Sequence, residues 1–257
     1  MPVEHAEDHV EKRLSAREKG EPEAIARLRS EAALLARLSG LGVTPRLLES
    51  GEDARGPWHR VERVPFPTLA ERLARAGGPL DPSWIERAIR AAFGALATLH
   101  EAADASGPLL VVHADLSPAN IAIDDTGTRA VLLDLDLAWW REGPARLDGT
   151  FRGTVAYVAP EVARGERPTP QSDLFALAAT FLHAVTGAPP RVGSTFAALL
   201  AMAPEAPQLG HEHEHARERL AARGPGHAAV IACLAQAPAD RPASARAVLA
   251  TSTRTAT

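Results

Sequence analysis

Between His113 and Asp136 the chain places an acid and an amide on one loop, Asp115 and Asn120, and a second acid, Asp134, follows two short apolar stretches. Those stretches, residues 121–124 and 130–134, flank Asp125-Thr-Gly127, a turn composition, and read as a hairpin. A loop followed by a hairpin returns the chain to where it left, so Asp115, Asn120 and Asp134 are expected to face one cleft. Singly, each has a plain structural reading, because acids and amides in loops commonly cap turns. As an ordered set joined by a hairpin, they restrict the fold far more.

The remaining sequence divides into a small leading part and a larger helical one. Residues 8–14 read as a short strand. Pro22 then opens a helix that runs to Leu38 and stops at Ser39-Gly40, with proline at the start and glycine just past the end. Its apolar face carries Ile25, Leu28, Ala32, Leu35 and Leu38, and the acid Glu31 falls on that same stripe. Strands are expected over 44–50 and 58–64, around the turn 51–56. Pro65-Phe-Pro67 is a linker, and Thr68 caps the helix after it. Asp81-Pro82 opens a long helix with Ile85, Ile89, Phe93, Leu96 and Leu99 on one side. Residues 109–112 read as a strand. Residues 172–186 are apolar almost all round, which places that helix at the centre of the larger part. Shorter helices follow to about residue 250, and the Thr/Ser-rich residues 251–257 are expected to be disordered. No internal repeat is visible.

Composition narrows the function classes. The chain has 257 residues, enough for one large domain or two lobes, and 46% apolar content is ordinary for a globular protein. A formal charge of −4 gives no basic footprint for nucleic acid. Cys233 is the only cysteine, which excludes an intramolecular disulfide and a multi-cysteine zinc site. The charged start, MPVEHAEDHVEKR, lacks the apolar core of a signal peptide. No uncharged apolar run reaches membrane-spanning length, so the expectation is a soluble, cytoplasmic protein that engages neither membrane nor nucleic acid. His211-Glu-His-Glu-His215 alternates imidazole and acid, but its Pro- and Gly-rich approach makes a solvated loop the better reading than a metal site. Trp139-Trp140 and Cys233 read as packing residues.

The order His113-Ala-Asp115, Asn120, Asp134 resembles the catalytic core of the eukaryotic-type Ser/Thr protein kinase family, also found in bacteria. The resemblance runs from about Lys12 to Arg241. It implies an α+β, two-lobed fold with a reduced, β-rich N-lobe over 1–64, a larger, mainly helical C-lobe over 65–250, and the tail 251–257. It implies ATP and Mg²⁺ as cofactors, Asp115 orienting the acceptor hydroxyl, and Asn120 and Asp134 holding the metal. Lys12 would pair with Glu31 and contact the nucleotide phosphates. A carboxylate on a buried stripe needs such a partner; Lys19, which immediately precedes Gly20 and lies close to the helix-opening Pro22, fits a loop better. The plain reading of Lys12 is a solvated surface lysine. By alignment, Val61 would be the gatekeeper, and the backbone of Glu62 and Val64 would meet the adenine edge.

Later landmarks separate the protein kinases from small-molecule kinases: Gly153-Thr-Val-Ala-Tyr157, Ala159-Pro-Glu161, Ser172-Asp173 and Asp240-Arg241-Pro242. The resemblance brings Glu161 and Arg241 together. Four departures stand beside these. Too few residues precede Lys12 for two strands and a glycine-rich phosphate loop, so the upper lobe is expected to be truncated. Ala114 replaces an arginine that normally meets a phosphorylated activation loop. Ser117 replaces a lysine that contacts the transferred phosphate. Asp136 stands where protein kinases have glycine, either as an extra metal ligand or as a block to nucleotide. The implied function is ATP- and Mg²⁺-dependent phosphoryl transfer to Ser or Thr of a protein. A pseudokinase that regulates or scaffolds a partner is the alternative, and a small-molecule kinase the third.

Overall fold

The structure is a computed structural model that describes residues 3–5, 8–144, 153–191, 215, 217–218, 220–221 and 225–253. In the leading part, β1 (Val3–His5) and β2 (His9–Arg13) pair antiparallel, and β3 (Leu47–Asp53) pairs with β4 (Gly56–Glu62). The sheet order is β1-β2-β4-β3. Register fixes the chemistry here: Lys12 lies opposite His59, so both side chains leave the same face of the sheet.

Helix α1 (Pro22–Arg37) joins β2 to β3, with proline in its first turn. Its stripe buries Ala24, Arg27, Leu28, Glu31, Leu34 and Leu35. The first half packs with Leu14 in a small cluster, whereas Leu34, Leu35 and Leu38 belong to the main core of the other lobe. One helix thus bridges the two lobes, and its polar inward residues stand at the boundary between them.

In the larger lobe, α2 (Leu69–Ala76) starts at Thr68 with a reciprocal capping box to Glu71 and ends at Gly77 in the left-handed conformation. Asp81 caps α3 (Pro82–His100) through the Trp84 amide at 2.8 Å. Two-residue strands β5 (Ala103–Asp104) and β6 (Gly107–Pro108) follow, then the hairpin β7 (Ile121–Ile123) and β8 (Ala130–Leu132). After α4 (Pro160–Ala163) comes α5 (Pro170–Thr186), capped by Thr169 and buried along most of its length. Helices α6 (Pro225–Ala232) and α7 (Ala245–Thr253) close the lobe. Among the described residues no helix is long and apolar enough to cross a membrane.

Three sequence expectations are corrected. Residues 109–112 form no strand: Leu110 adopts a left-handed φ of 55°, which breaks an extended run, and only Val112 makes an isolated bridge, to Trp139. The strands expected over 44–50 and 58–64 lie at 47–53 and 56–62, because the turn between them is tighter than its polar composition suggested. Helix α7 runs to Thr253 and so takes in the first part of the tail expected to be disordered; residues 254–257 lie outside the described residues.

Candidate active site

Lys12 on β2 and Glu31 on α1 meet at the lobe boundary, Nζ to Oε2 at 2.7 Å, with the carboxylate side chain 4% exposed. The same ammonium donates to Asp134 Oδ1 at 2.6 Å. The other oxygen of Glu31, Oε1, accepts from the Leu135 amide at 3.0 Å. Strand, helix and post-hairpin turn are therefore held by one lysine and one glutamate. Burial would depress the Lys12 ammonium, but Glu31, Asp134 and Asp136 outweigh it and hold Lys12 above its usual range. Burial pushes Glu31 up to about 7 against the pull of Lys12. At Asp134 burial is overcome by Lys12, and the carboxyl is held below its ordinary value. Asp134 sits at φ 58°, a left-handed conformation that turns its side chain out of the strand direction and toward the cleft.

The loop that carries Asp115 hangs from α5. Asp173, 1% exposed, accepts from the amides of His113 at 2.7 Å and Ala114 at 2.9 Å, and meets His100 at 2.9 Å. Ala114 has φ 65°, and these bonds hold that turn in place. His113 Nε2 donates to the Leu133 carbonyl at 2.9 Å, tying the loop to the end of the hairpin just before Asp134. Both oxygens of Asp115 are engaged. Asn120 Nδ2 donates to Oδ2 at 3.0 Å, and Thr154 donates to Oδ1 from its amide at 2.9 Å and its hydroxyl at 3.1 Å. Burial raises the Asp115 carboxyl above its ordinary value, with His113 and Thr154 opposing.

A cleft of about 830 Å³ opens between the lobes. Lys12, Glu31, Asn120 and Asp134 line its polar end; Val10, Pro45, Val61 and Leu133 give apolar walls, and Glu62 and Val64 line its rim. Every expected nucleotide-contacting position therefore borders this one space, whereas Asp115 lies just beyond it, on Asn120. Asp134 and Asn120 offer one carboxylate and one amide oxygen. Because the Asn120 nitrogen is committed to Asp115, its oxygen is the atom left for a cation. Among the described residues no three His, Cys, Asp or Glu side chains form a metal cage. A sparse oxygen set of this kind fits Mg²⁺ shared with phosphate oxygens, and does not fit a transition metal.

Several residues play parts that the sequence did not specify, and one expected pair is found. Thr154 holds Asp115, a contact that its place in the Gly153–Tyr157 landmark did not announce. His59 is 2% exposed, opposite Lys12, with Nε2 3.8 Å from Glu31 and Nδ1 without a hydrogen-bond partner among the described residues. Burial, aided by Lys12, lowers its imidazole to about 4, so it is neutral at pH 7. Tyr157, in the Gly153–Tyr157 landmark, bonds His183 on α5 at 2.7 Å. Glu161 and Arg241 are joined directly, as the resemblance implies. Lys19 lies exposed in a 3-10 turn, away from Glu31. Most of the His211–His215 run lies outside the described residues.

Comparison with known proteins gives a consistent result. The family model described as protein kinase domain matches residues 4–251. Mitogen-activated protein kinase kinase kinase 18 of Arabidopsis thaliana is 30% identical over 136 residues, covering 53% of this chain and 38% of that protein. The DNA damage-responsive serine/threonine-protein kinase RqkA of Deinococcus radiodurans is 34% identical over 171 residues, covering 64% and 24%. Serine/threonine-protein kinase PknF of Mycobacterium tuberculosis is 40% identical over 95 residues, covering 35% and 20%. The chain thus spans well under half the length of these curated relatives. The kinase domain of Mycobacterium tuberculosis PknI superposes with a TM-score of 0.65 at 24% identity, covering 94% of this chain and 82% of that one.

Proposed function

The chain belongs to the protein kinase domain family, and from that premise we propose that it transfers the γ-phosphoryl group of ATP, with Mg²⁺, to a serine or threonine of a protein. The observation that carries the reading is that Lys12, Glu31 and Asp134 are joined by hydrogen bonds at one end of a cleft that Asn120 links to Asp115. Phosphoryl transfer asks the protein for positioning and charge compensation more than covalent chemistry. In this reading the adenine lies between Val61 and Leu133 and meets the backbone of Glu62 and Val64. Lys12, held cationic by its carboxylates, turns to the phosphates. Asp134 and Asn120 hold Mg²⁺, which neutralises charge on the phosphate oxygens when bound. Asp115, its carboxyl raised by burial and aimed by Thr154 and Asn120, takes the acceptor hydroxyl proton. A cytoplasmic site of action follows from the need for ATP.

A regulatory or scaffolding role without catalysis draws on one feature. Ser117 stands where the resemblance expects a lysine on the transferred phosphate, and it is 2% exposed, so no cation is supplied from that position. Incubation with labelled ATP, Mg²⁺ and a generic basic protein separates the two. Incorporation that Asp115→Asn abolishes, with ATP affinity nearly unchanged, supports transfer, since the substitution touches the acceptor rather than the nucleotide. Equal incorporation in the variant overturns the role of Asp115. No incorporation by either protein favours the scaffold.

A further inference from the structure

Helix α1 is tied to the chain after the hairpin by a row of side chains that runs from the buried Glu31 to the exposed Arg37. Glu31 takes the Leu135 amide at 3.0 Å, Ser30 Oγ takes Trp140 Nε1 at 2.9 Å, and Arg37 reaches Glu142 at 2.9 Å. A fourth tie is an ion pair between two side chains of low exposure. Arg27 Nε lies 3.4 Å from Asp136 Oδ1, with side-chain exposures of 9% and 18%. Neither atom has a hydrogen-bond partner among the described residues, so at these two atoms each charge faces the other, while Asp136 also acts at longer range on Lys12. Arg27 stands one helical turn before Glu31 on the same stripe, and Asp136 stands two residues after Asp134. The pair therefore spans the same two elements as the Lys12–Glu31–Asp134 network and lies immediately beside it.

We propose that Arg27 and Asp136 are positioning residues: their ion pair clamps α1 onto the turn 134–136, so that Glu31 reaches Lys12 and Asp134 faces the cleft before any nucleotide arrives. The clamp consists of unmodified side chains within one chain and needs neither a phosphate nor a second protein to close it. This rests on the reading of the cleft as the nucleotide site. The geometry also bears on the other role open to Asp136, that of an extra metal ligand. Its Oδ1 is buried against Arg27, and turning it toward a cation would strand a desolvated guanidinium without a partner. Asp134, 46% exposed at its side chain, is the carboxylate that is open to the cleft.

The test is hydrogen exchange on the nucleotide-free full chain, with Arg27→Gln, Asp136→Asn, their combination, and the milder Arg27→Lys. Each neutral variant is expected to speed exchange in α1 and residues 133–138 by roughly tenfold, a coupling of the usual size for a contacting pair. The combination is expected to be no worse than either single change, Arg27→Lys is expected to restore most of the protection, and α5 is expected to stay protected throughout. In a parallel Mg·ATP titration the neutral variants bind more weakly, with an unchanged Mg²⁺ requirement. Unaltered α1 exchange in both single variants overturns the clamp. So does loss of protection spread evenly into α5, which marks general destabilisation. A Mg²⁺ requirement shifted by Asp136→Asn but not by Arg27→Gln makes Asp136 a metal ligand instead. Exchange needs no ATP: failure of the wild type to bind nucleotide defeats the nucleotide reading and leaves the exchange result to decide the clamp.

Discussion

Arg241 meets Glu161 in two parallel hydrogen bonds, Nη1 to Oε1 at 2.7 Å and Nη2 to Oε2 at 2.8 Å, with side chains 0% and 2% exposed. The guanidinium also donates to the carbonyls of Ala235, Gln171 and Gln236, and Ser172 donates to Glu161 at 2.7 Å. One arginine thereby fastens the first turn of α4, the start of α5 and the chain just after α6. The fork geometry explains why lysine could not substitute.

Removing Arg241 leaves Glu161 buried and charged, a cost of about 3–5 kcal/mol. For a chain of this size that lowers the melting temperature by roughly 10 °C. Glu161→Gln with Arg241→Met removes both charges and is expected to be milder than Arg241→Ala alone. Thermal unfolding of the three variants checks this, and a melting temperature unmoved by Arg241→Ala would remove the structural role assigned to the pair.

His59 gives stability a pH dependence of known sign. Its folded value is about 4 against 6.5 unfolded. Below pH 6.5 the unfolded chain takes up the proton first, so stability falls as pH drops from 6.5 toward 4 and then levels. The full effect is on the order of 3 kcal/mol. His59→Leu cannot titrate, and its melting temperature is expected to decline less than the wild type across that window. Parallel profiles for the two proteins would show that His59 is not the group responsible.

Asp134 is the only expected metal-binding carboxylate that is open to the cleft, so nucleotide binding should depend on it and on Mg²⁺ together. Calorimetric titration with ATP is expected to show tighter binding with Mg²⁺ than without in the wild type, and no such difference in Asp134→Ala. Lys12 and Glu31 remain paired in that variant, which keeps the fold of the cleft comparable. Wild-type binding that ignores Mg²⁺ would sink the metal role.

The parts of this architecture that were legible in the sequence are those where burial forces a partner. Glu31 on an apolar stripe required a cation, and Lys12 supplies it. The hairpin was visible because Asp125-Thr-Gly127 interrupts two apolar runs, and Thr68 and Asp81 announced their helices as caps. What stayed hidden depends on tertiary contact. Residues 109–112 have strand composition, yet Leu110 turns left-handed where the chain packs on Ala102 and Arg141. Arg27 looks like any arginine near a helix start until Asp136 is seen opposite it. His59 looks like an ordinary strand residue until register places it against Lys12.

Thr154 was visible only as part of the Gly153–Tyr157 landmark, and its contact with Asp115 leads to a discriminating experiment. Its amide and hydroxyl both donate to Asp115 Oδ1, so the backbone bond survives substitution while the hydroxyl bond is optional. Thr154→Ser keeps the hydroxyl and is expected to keep most activity. Thr154→Ala loses one hydrogen bond to a carboxylate, worth about 1.5–3 kcal/mol, and leaves Asp115 free to rotate about its remaining contacts. Because Thr154 does not border the cleft proposed to hold nucleotide, the loss should fall on kcat, by roughly tenfold to a hundredfold, with the KM for ATP nearly unchanged. The Ser variant controls for packing, since it removes a methyl group and retains the donor. Equal kcat in the Ala variant and the wild type would mean that Asn120, the backbone amide of residue 154 and the Asp173-anchored turn orient Asp115 without the hydroxyl. A raised KM for ATP at constant kcat would place Thr154 on the nucleotide side of the cleft, against the geometry described above.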